Sequence, residues 1–221
     1  MRRIVGATFV SLDGVMQAPG GPTEDPTGGF DHGGWIAPVW DDAAGETIGG
    51  LFKRPFDLLL GRRTYDIFAA FWPNAGDDQK EIRDPFNACT KYVVTGGDRP
   101  LAWHNSHRVG SIDELAAIKR GDGPDLVIQG SSTLYPQLLA AGLLDRLTLM
   151  IFPVVLGSGK RLFGDGTPGA TMTMIEQRVT PSGAVIATYE PAGPVRTKAI
   201  AEPASNAAEE QRQAAMADGS W

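Results

Sequence analysis

The chain has 221 residues, a formal net charge of −6, 42% hydrophobic and 21% charged residues. That length supports one domain with a substantial core, and an acidic balance without a basic block argues against nucleic acid as a bulk electrostatic partner. The single cysteine, Cys89, excludes an internal disulfide and reads as a buried structural thiol; His32, His104 and His107 lack metal-site spacing, so no metal is expected.

Arg3 to Val10 is apolar and β-branched and reads as a buried first strand, not a leader, because the run breaks at Ser11-Leu12-Asp13-Gly14. No run reaches the roughly 18 apolar residues that suggest a membrane span. With no export signal and one thiol, the expected compartment is the cytoplasm. Residues 11–40 are rich in Gly, Pro and aromatics and predict a long functional loop. A helix over 41–52, opened by Asp41 or Asp42, precedes the strand FDLLL (56–60) and helices over 63–71 and 78–88. KYVVT (91–95) is a third strand, and 107–110 a short one. Ser111 caps a helix to about Arg120, with Glu114 as its capping-box partner. PDLVIQ (124–129) is a strand; Ser131 or Ser132 opens a helix to about Ala141, closed by Gly142. Asp145 to Val155 is a long strand, and 171–178 and 184–190 are two more.

Alternation of short apolar strands with helices predicts an α/β fold: a three-layer α/β/α arrangement around a mainly parallel mixed sheet. The short Thr180–Gly183 connection suits a hairpin, giving an antiparallel C-terminal edge. Residues 1–191 form the domain. Residues 192–221 lose the apolar pattern and read as a flexible tail, disordered or partly helical.

Ligands in open α/β sheets sit beyond the carboxyl ends of strands. Three such ends carry similar chemistry. In GRRT, Gly61 to Thr64, a tight turn brings free N–H groups, two guanidinium groups and a hydroxyl to a helix start, which suits phosphate; the alternative is a capped helix with solvated arginines. Thr95-Gly96 permits close approach of a nucleotide, or is an ordinary turn. Gly130-Ser131-Ser132 offers N–H and hydroxyl donors, or is a simple N-cap. Neither GxxxxGK[ST] nor GxGxxG is present, so a nucleotide site here has another architecture.

Four segments in order, VSLDG (10–14), LLLGRRTY (58–65), QGSSTL (129–134) and PVVLGSGKRLF (153–163), resemble the dihydrofolate-reductase-like superfamily over about residues 2–190, and its riboflavin-biosynthesis reductase branch in particular. The resemblance implies a reductase using NADPH. Gly61, Arg62, Arg63 and Thr64 would bind the pyrophosphate and the adenosine 2′-phosphate, Thr95 and Gly96 would lie beside the adenosine, and Gly130, Ser131, Ser132 and Thr133 would cradle the pyrophosphate. The loop from Leu12 to about Gln17 would cover the nicotinamide. Many members carry Gly-Gly where this chain has Gln129-Gly130. The acid that holds a pteridine lies on the first helix in dihydrofolate reductases, a region that here contains Asp41, Asp42 and Glu46.

The implied reaction is hydride transfer to a C=N or C=O bond of a pteridine- or pyrimidine-like heterocycle, such as a ribosylaminouracil phosphate or dihydrofolate. Asp13 is the candidate for proton relay, through a pKa raised in a semi-closed site, against a plain turn role. Trp35 stacks on a planar substrate or packs its loop; Trp40 packs, and His32 lies on the surface. Lys160 would meet a substrate phosphate or lie solvated. The apolar strand from Arg146 suits a homodimer interface. Competing readings are a reductase of another small carbonyl or nitro compound, and a nucleotide-binding protein with little catalysis.

Overall fold

Where each connection runs along the sheet decides which face its helix covers. The computed structural model describes residues 1–201 and 206–221; part of the expected tail, 202–205, lies outside the described residues. The strands are β1 (Ile4–Ser11), β2 (Phe56–Gly61), β3 (Lys91–Val94), β4 (Ser106–Val109), β5 (Asp125–Ile128), β6 (Arg146–Phe152), β7 (Met172–Val179) and β8 (Val185–Pro191), and they form one sheet in the order β4-β3-β2-β5-β1-β6-β8-β7. The first six run parallel; β8 pairs antiparallel with both β6 and β7.

The chain first steps from β1 outward through β2 to β3, carrying α1 (Asp42–Leu51), α2 (Arg62–Phe71) and α3 (Lys80–Ala88). It then returns in the opposite direction, through α4 (Ile112–Arg120) into β5 and through α5 (Leu134–Ala140) into β6. Right-handed crossovers in opposite directions put their helices on opposite faces. Two separate apolar cores result. Ala44 and Ile48 of α1, Tyr65 of α2 and Phe86 of α3 pack with Leu58, Leu60 and Val127 on one face. Leu115 of α4 and Leu134, Tyr135 and Leu138 of α5 pack with Ile4, Leu59 and Ile128 on the other. Successive residues of β2 thus serve alternate layers, as a doubly covered strand requires, and the expected three-layer architecture is present.

Some details differ from the sequence reading. Helix α5 starts at Leu134, because Ser131 and Ser132 are taken up in a turn. Strand β6 lies inside the sheet, between β1 and β8, so its backbone edges are already paired; β7 is the edge strand on that side and β4 on the other. Within the tail, α6 (Ala207–Asp218) is a helix capped by Asn206 and without a buried residue.

Candidate functional site

A strand that stops early opens a notch in the sheet. β5 pairs with β1 only at Ile4, Val5 and Gly6, and with β2 only at Phe56, Asp57 and Leu58. Both neighbours run on: β1 continues to Ser11 with β6 alone, and β2 to Gly61 with β3 alone. The gap beyond Ile128 is an open cleft, about 700 Å³ with its solvent-filled mouth included. Thr8 and Phe9 from β1, the Gly61–Thr64 turn and the Gln129–Thr133 turn line it, together with Lys160 and the loop from Met16 to Asp25.

The GRRT and GSST turns meet here. Gly61 is the N-cap of α2, in an extended conformation and without a capping side chain of its own. Ser131 instead ties down the N-cap residue itself: its Oγ accepts the Gly61 N–H at 2.7 Å and lies 2.9 Å from Thr64 Oγ1. Ser131 has φ +96°, rare for a residue with a side chain, so its backbone is strained to reach this position. Space is tight: a Cβ on Gly61 would stand 2.6 Å from Ser131 Oγ, and one on Gly130 3.1 Å from Thr64 Cγ2. The first-turn N–H groups of α2 have no intrahelical partner by geometry and carry the positive end of the helix dipole.

The two arginines differ. Arg62 donates from Nε to Asp66 Oδ1 at 2.9 Å and from its terminal nitrogens to the carbonyls of Arg99 and Pro100 at 2.8 and 3.2 Å. Arg63 is part of the cleft wall and more exposed.

Lys160 is not the free cation that the sequence suggested. Its Nζ pairs with the carboxylate of Asp25 and donates to Thr27 Oγ1 at 2.6 Å. Burial pushes the Asp25 pKa upward, but the Lys160 and Thr27 hydrogen bonds and the Lys160 charge outweigh it and hold the carboxyl below its ordinary value. Gln17 completes this wall: its amide nitrogen donates to the carbonyls of Asp25 and Thr27, and its oxygen accepts from Lys160 N at 2.9 Å. Glu24 sits beside it on the cleft, where burial raises its pKa, against the opposing hydrogen bond from Gly20 N–H at 2.7 Å.

Asp13 lies outside the cleft, in a depression with Leu149, Ile151 and Phe163. Its oxygens accept from Leu156 N, Gly157 N and Ser11 Oγ at 3.0, 2.9 and 2.7 Å. The Leu156 bond above all, with the Ser11 hydroxyl, holds its pKa down at about 2, which corrects the raised value expected from a semi-closed site. Trp35 is buried, donates Nε1 to Gln17 O at 2.9 Å and packs edge-on to Phe152, so it fixes the loop. Trp40 stacks on Phe152. Asp42 and Glu46 are exposed and away from the notch. Asp41 is the α1 cap, accepting from Ala44 N and Ser182 N at 2.9 Å each. Thr95 and Gly96 follow β3, with Thr95 N donating to Val109 O at 3.0 Å, and are not among the residues lining the cleft. Cys89 is half-buried, and burial pushes its thiol up to about 11. The notch thus gathers Gly61–Thr64, Gly130–Thr133 and Lys160. Sequence reasoning missed Thr8, Glu24 and Asp25, and placed Gln17 only as the end of the covering loop. Glu24 and Asp25 lie in a loop without periodicity, and their partners are more than a hundred residues distant or within the loop itself.

The family model of the RibD C-terminal domain matches residues 2–186. The chain belongs to the RibD C-terminal domain family. An uncharacterised protein of Bacillus subtilis (strain 168), YyaP, is 27% identical over 85% of this chain and 94% of its own length. Two solved structures share the fold of this RibD C-terminal domain. A protein of Shewanella sp. PV-4 named for riboflavin biosynthesis has TM-score 0.63 and 21% identity over 86% of this chain and 99% of that one. Dihydrofolate reductase of Enterococcus faecalis, complexed with NADP(H), has TM-score 0.53 and 15% identity over 86% and 96%. The dihydrofolate-reductase-like fold read from the four motifs is therefore the fold of this domain. No helix among the described residues is long and apolar enough to cross a membrane.

Proposed function

We propose that this RibD C-terminal domain is a reductase of riboflavin-pathway type that uses NADPH to reduce a planar pteridine- or pyrimidine-like heterocycle. One observation carries the reading: the GRRT and GSST turns, far apart in sequence, face each other across a notch beyond a prematurely ended strand, joined by the Ser131–Gly61 hydrogen bond. Free N–H groups at the α2 start, the Gly130–Thr133 turn and the Arg62 and Arg63 guanidiniums make that meeting point suited to a pyrophosphate and a phosphate monoester. NADPH, when bound, supplies the hydride. The protein's part is to seat and orient it. The β1 edge beyond Gly6, unpaired on the notch side, offers backbone hydrogen bonds to a flat amide-bearing ring, and Phe9, Met16 and Phe68 give it an apolar wall. For the proton, Glu24 lines the cleft with a raised pKa, whereas Asp13 is an ionised bracket outside it.

The absence of Asp42 and Glu46 from the notch favours a second reading, a small carbonyl or nitro substrate or binding without turnover, over a substrate held by an α1 acid. Calorimetry with NADPH and NADH tests the cofactor. Tight NADPH and weak NADH binding supports the reductase, and oxidation of NADPH against a heterocycle and carbonyl panel then separates the readings. No binding of either cofactor overturns both.

A cytoplasmic homodimer completes the proposal. Leu12, Phe163 and Met174 are exposed apolar residues on and near the β6-β8-β7 side, and burying them against a second copy removes apolar area from water.

A further inference from the structure

The arginine turn carries a built-in counterweight. Asp66, one helical turn beyond Arg62, binds two guanidiniums at once. Its Oδ1 accepts from Arg62 Nε at 2.9 Å and its Oδ2 from Arg99 at 3.0 Å. Arg62 is fastened independently by the carbonyls of Arg99 and Pro100, at 2.8 and 3.2 Å, and it lies over the Tyr65 ring. Two of its three hydrogen-bond acceptors therefore remain when the carboxylate is removed. The side chains of Arg62, Asp66 and Arg99 are 18%, 36% and 69% exposed, so the cluster grades from the cleft wall to solvent.

We infer that Asp66 is a specificity-determining residue that weakens the preference of this chain for the 2′-phosphorylated cofactor. The inference rests on the cofactor reading above. A phosphate monoester brought to Arg62 meets a carboxylate already bound to that guanidinium and to Arg99. The anion has to share both cations with a like charge. A cofactor without the 2′-phosphate loses nothing there, so the carboxylate narrows the gap between NADPH and NADH instead of shifting both.

The test is the ratio of NADPH to NADH dissociation constants for wild type, Asp66→Asn and Asp66→Glu, from nicotinamide fluorescence at two salt concentrations. Asn keeps an oxygen acceptor for Arg62 Nε and removes the charge. It is expected to tighten NADPH roughly fivefold at low salt and less at high salt, while NADH stays within about twofold. Glu retains the charge and is expected to leave the ratio near that of wild type. Equal effects on both cofactors, a weakened NADPH in Asp66→Asn, or the same gain in Asp66→Glu overturns the inference while leaving the cofactor reading intact. Failure of wild type and both variants to bind either cofactor overturns the cofactor reading itself, and this inference with it.

Discussion

Ser131 Oγ accepts the backbone N–H of Gly61 at 2.7 Å. This single bond anchors the N-cap residue of α2 from another segment of the chain and joins the two anion-suited turns, with Ser131 at φ +96°. Ser131→Ala keeps the strained backbone and leaves Gly61 N–H without its acceptor. Ser131→Gly loses the same bond but adopts that backbone freely. Urea unfolding is expected to show a loss of about 1–3 kcal/mol for Ala and about 1 kcal/mol less for Gly. Equal losses would mean that the backbone stores no strain.

Gly61→Ala places a methyl 2.6 Å from Ser131 Oγ and 2.9 Å from its Cβ, whereas Gly130→Ala meets the Thr64 side chain less closely, at 3.1 Å from Cγ2 and 3.3 Å from Oγ1. NADPH affinity is expected to fall more than tenfold in Gly61→Ala and only a few fold in Gly130→Ala. The reverse order, in variants with wild-type circular dichroism, would move the cofactor away from this notch.

The Asp25–Lys160 pair predicts a pH dependence. Asp25 has a folded pKa below its unfolded one, so its contribution to stability is complete above the unfolded value of roughly 4 and is lost as pH falls through the folded value. Lys160→Met leaves a carboxylate whose side chain is 9% exposed without its cation. The expected cost is about 1–3 kcal/mol at pH 7, discounted for the partly exposed lysine, and it shrinks toward acid as Asp25 takes a proton. Urea midpoints at pH 7 and pH 4 check this; a cost independent of pH would assign the loss to packing.

Glu24 predicts the form of the rate profile. With its pKa raised by burial, turnover of a substrate from the panel falls as pH rises through that value, because the protonated form is the donor. Glu24→Gln is expected to lower kcat about a hundredfold or more and to flatten that limb, with NADPH affinity little changed. A retained limb in Glu24→Gln would assign the proton to another group.

Asp13→Asn is expected to behave as a structural variant. The wild-type carboxyl, held at about 2 by the Leu156 N–H and Ser11 hydroxyl bonds, adds stability that is complete above roughly pH 4 and lost toward pH 2. The variant loses about 1–2 kcal/mol at pH 7, the difference closes near pH 2, and kcat stays within about twofold. A kcat loss of a hundredfold in a folded Asp13→Asn would return Asp13 to the chemistry.

The strand and helix sequence was legible because its signals are local: FDLLL before Gly61, the Ser111 cap with Glu114, and the four-residue Thr180–Gly183 hairpin each act within a few residues. The same holds for the anion-suited turns, since Gly, Arg, Ser and Thr at a strand-to-helix junction declare their chemistry wherever the fold puts them. Sequence therefore determined the layers, the family and the two anion-suited turns of the cleft. Only the tertiary structure decided which charges are free. Lys160 meets Asp25 across 135 residues, Leu156 and Gly157 reach back to Asp13 across 143 and 144, and the Gly61–Ser131 bond spans 70. A hydrogen bond needs its partner within about 3 Å, and a screened charge acts over roughly 10 Å. Their partners follow from sheet order and from the early end of β5, which the local pattern of residues does not encode.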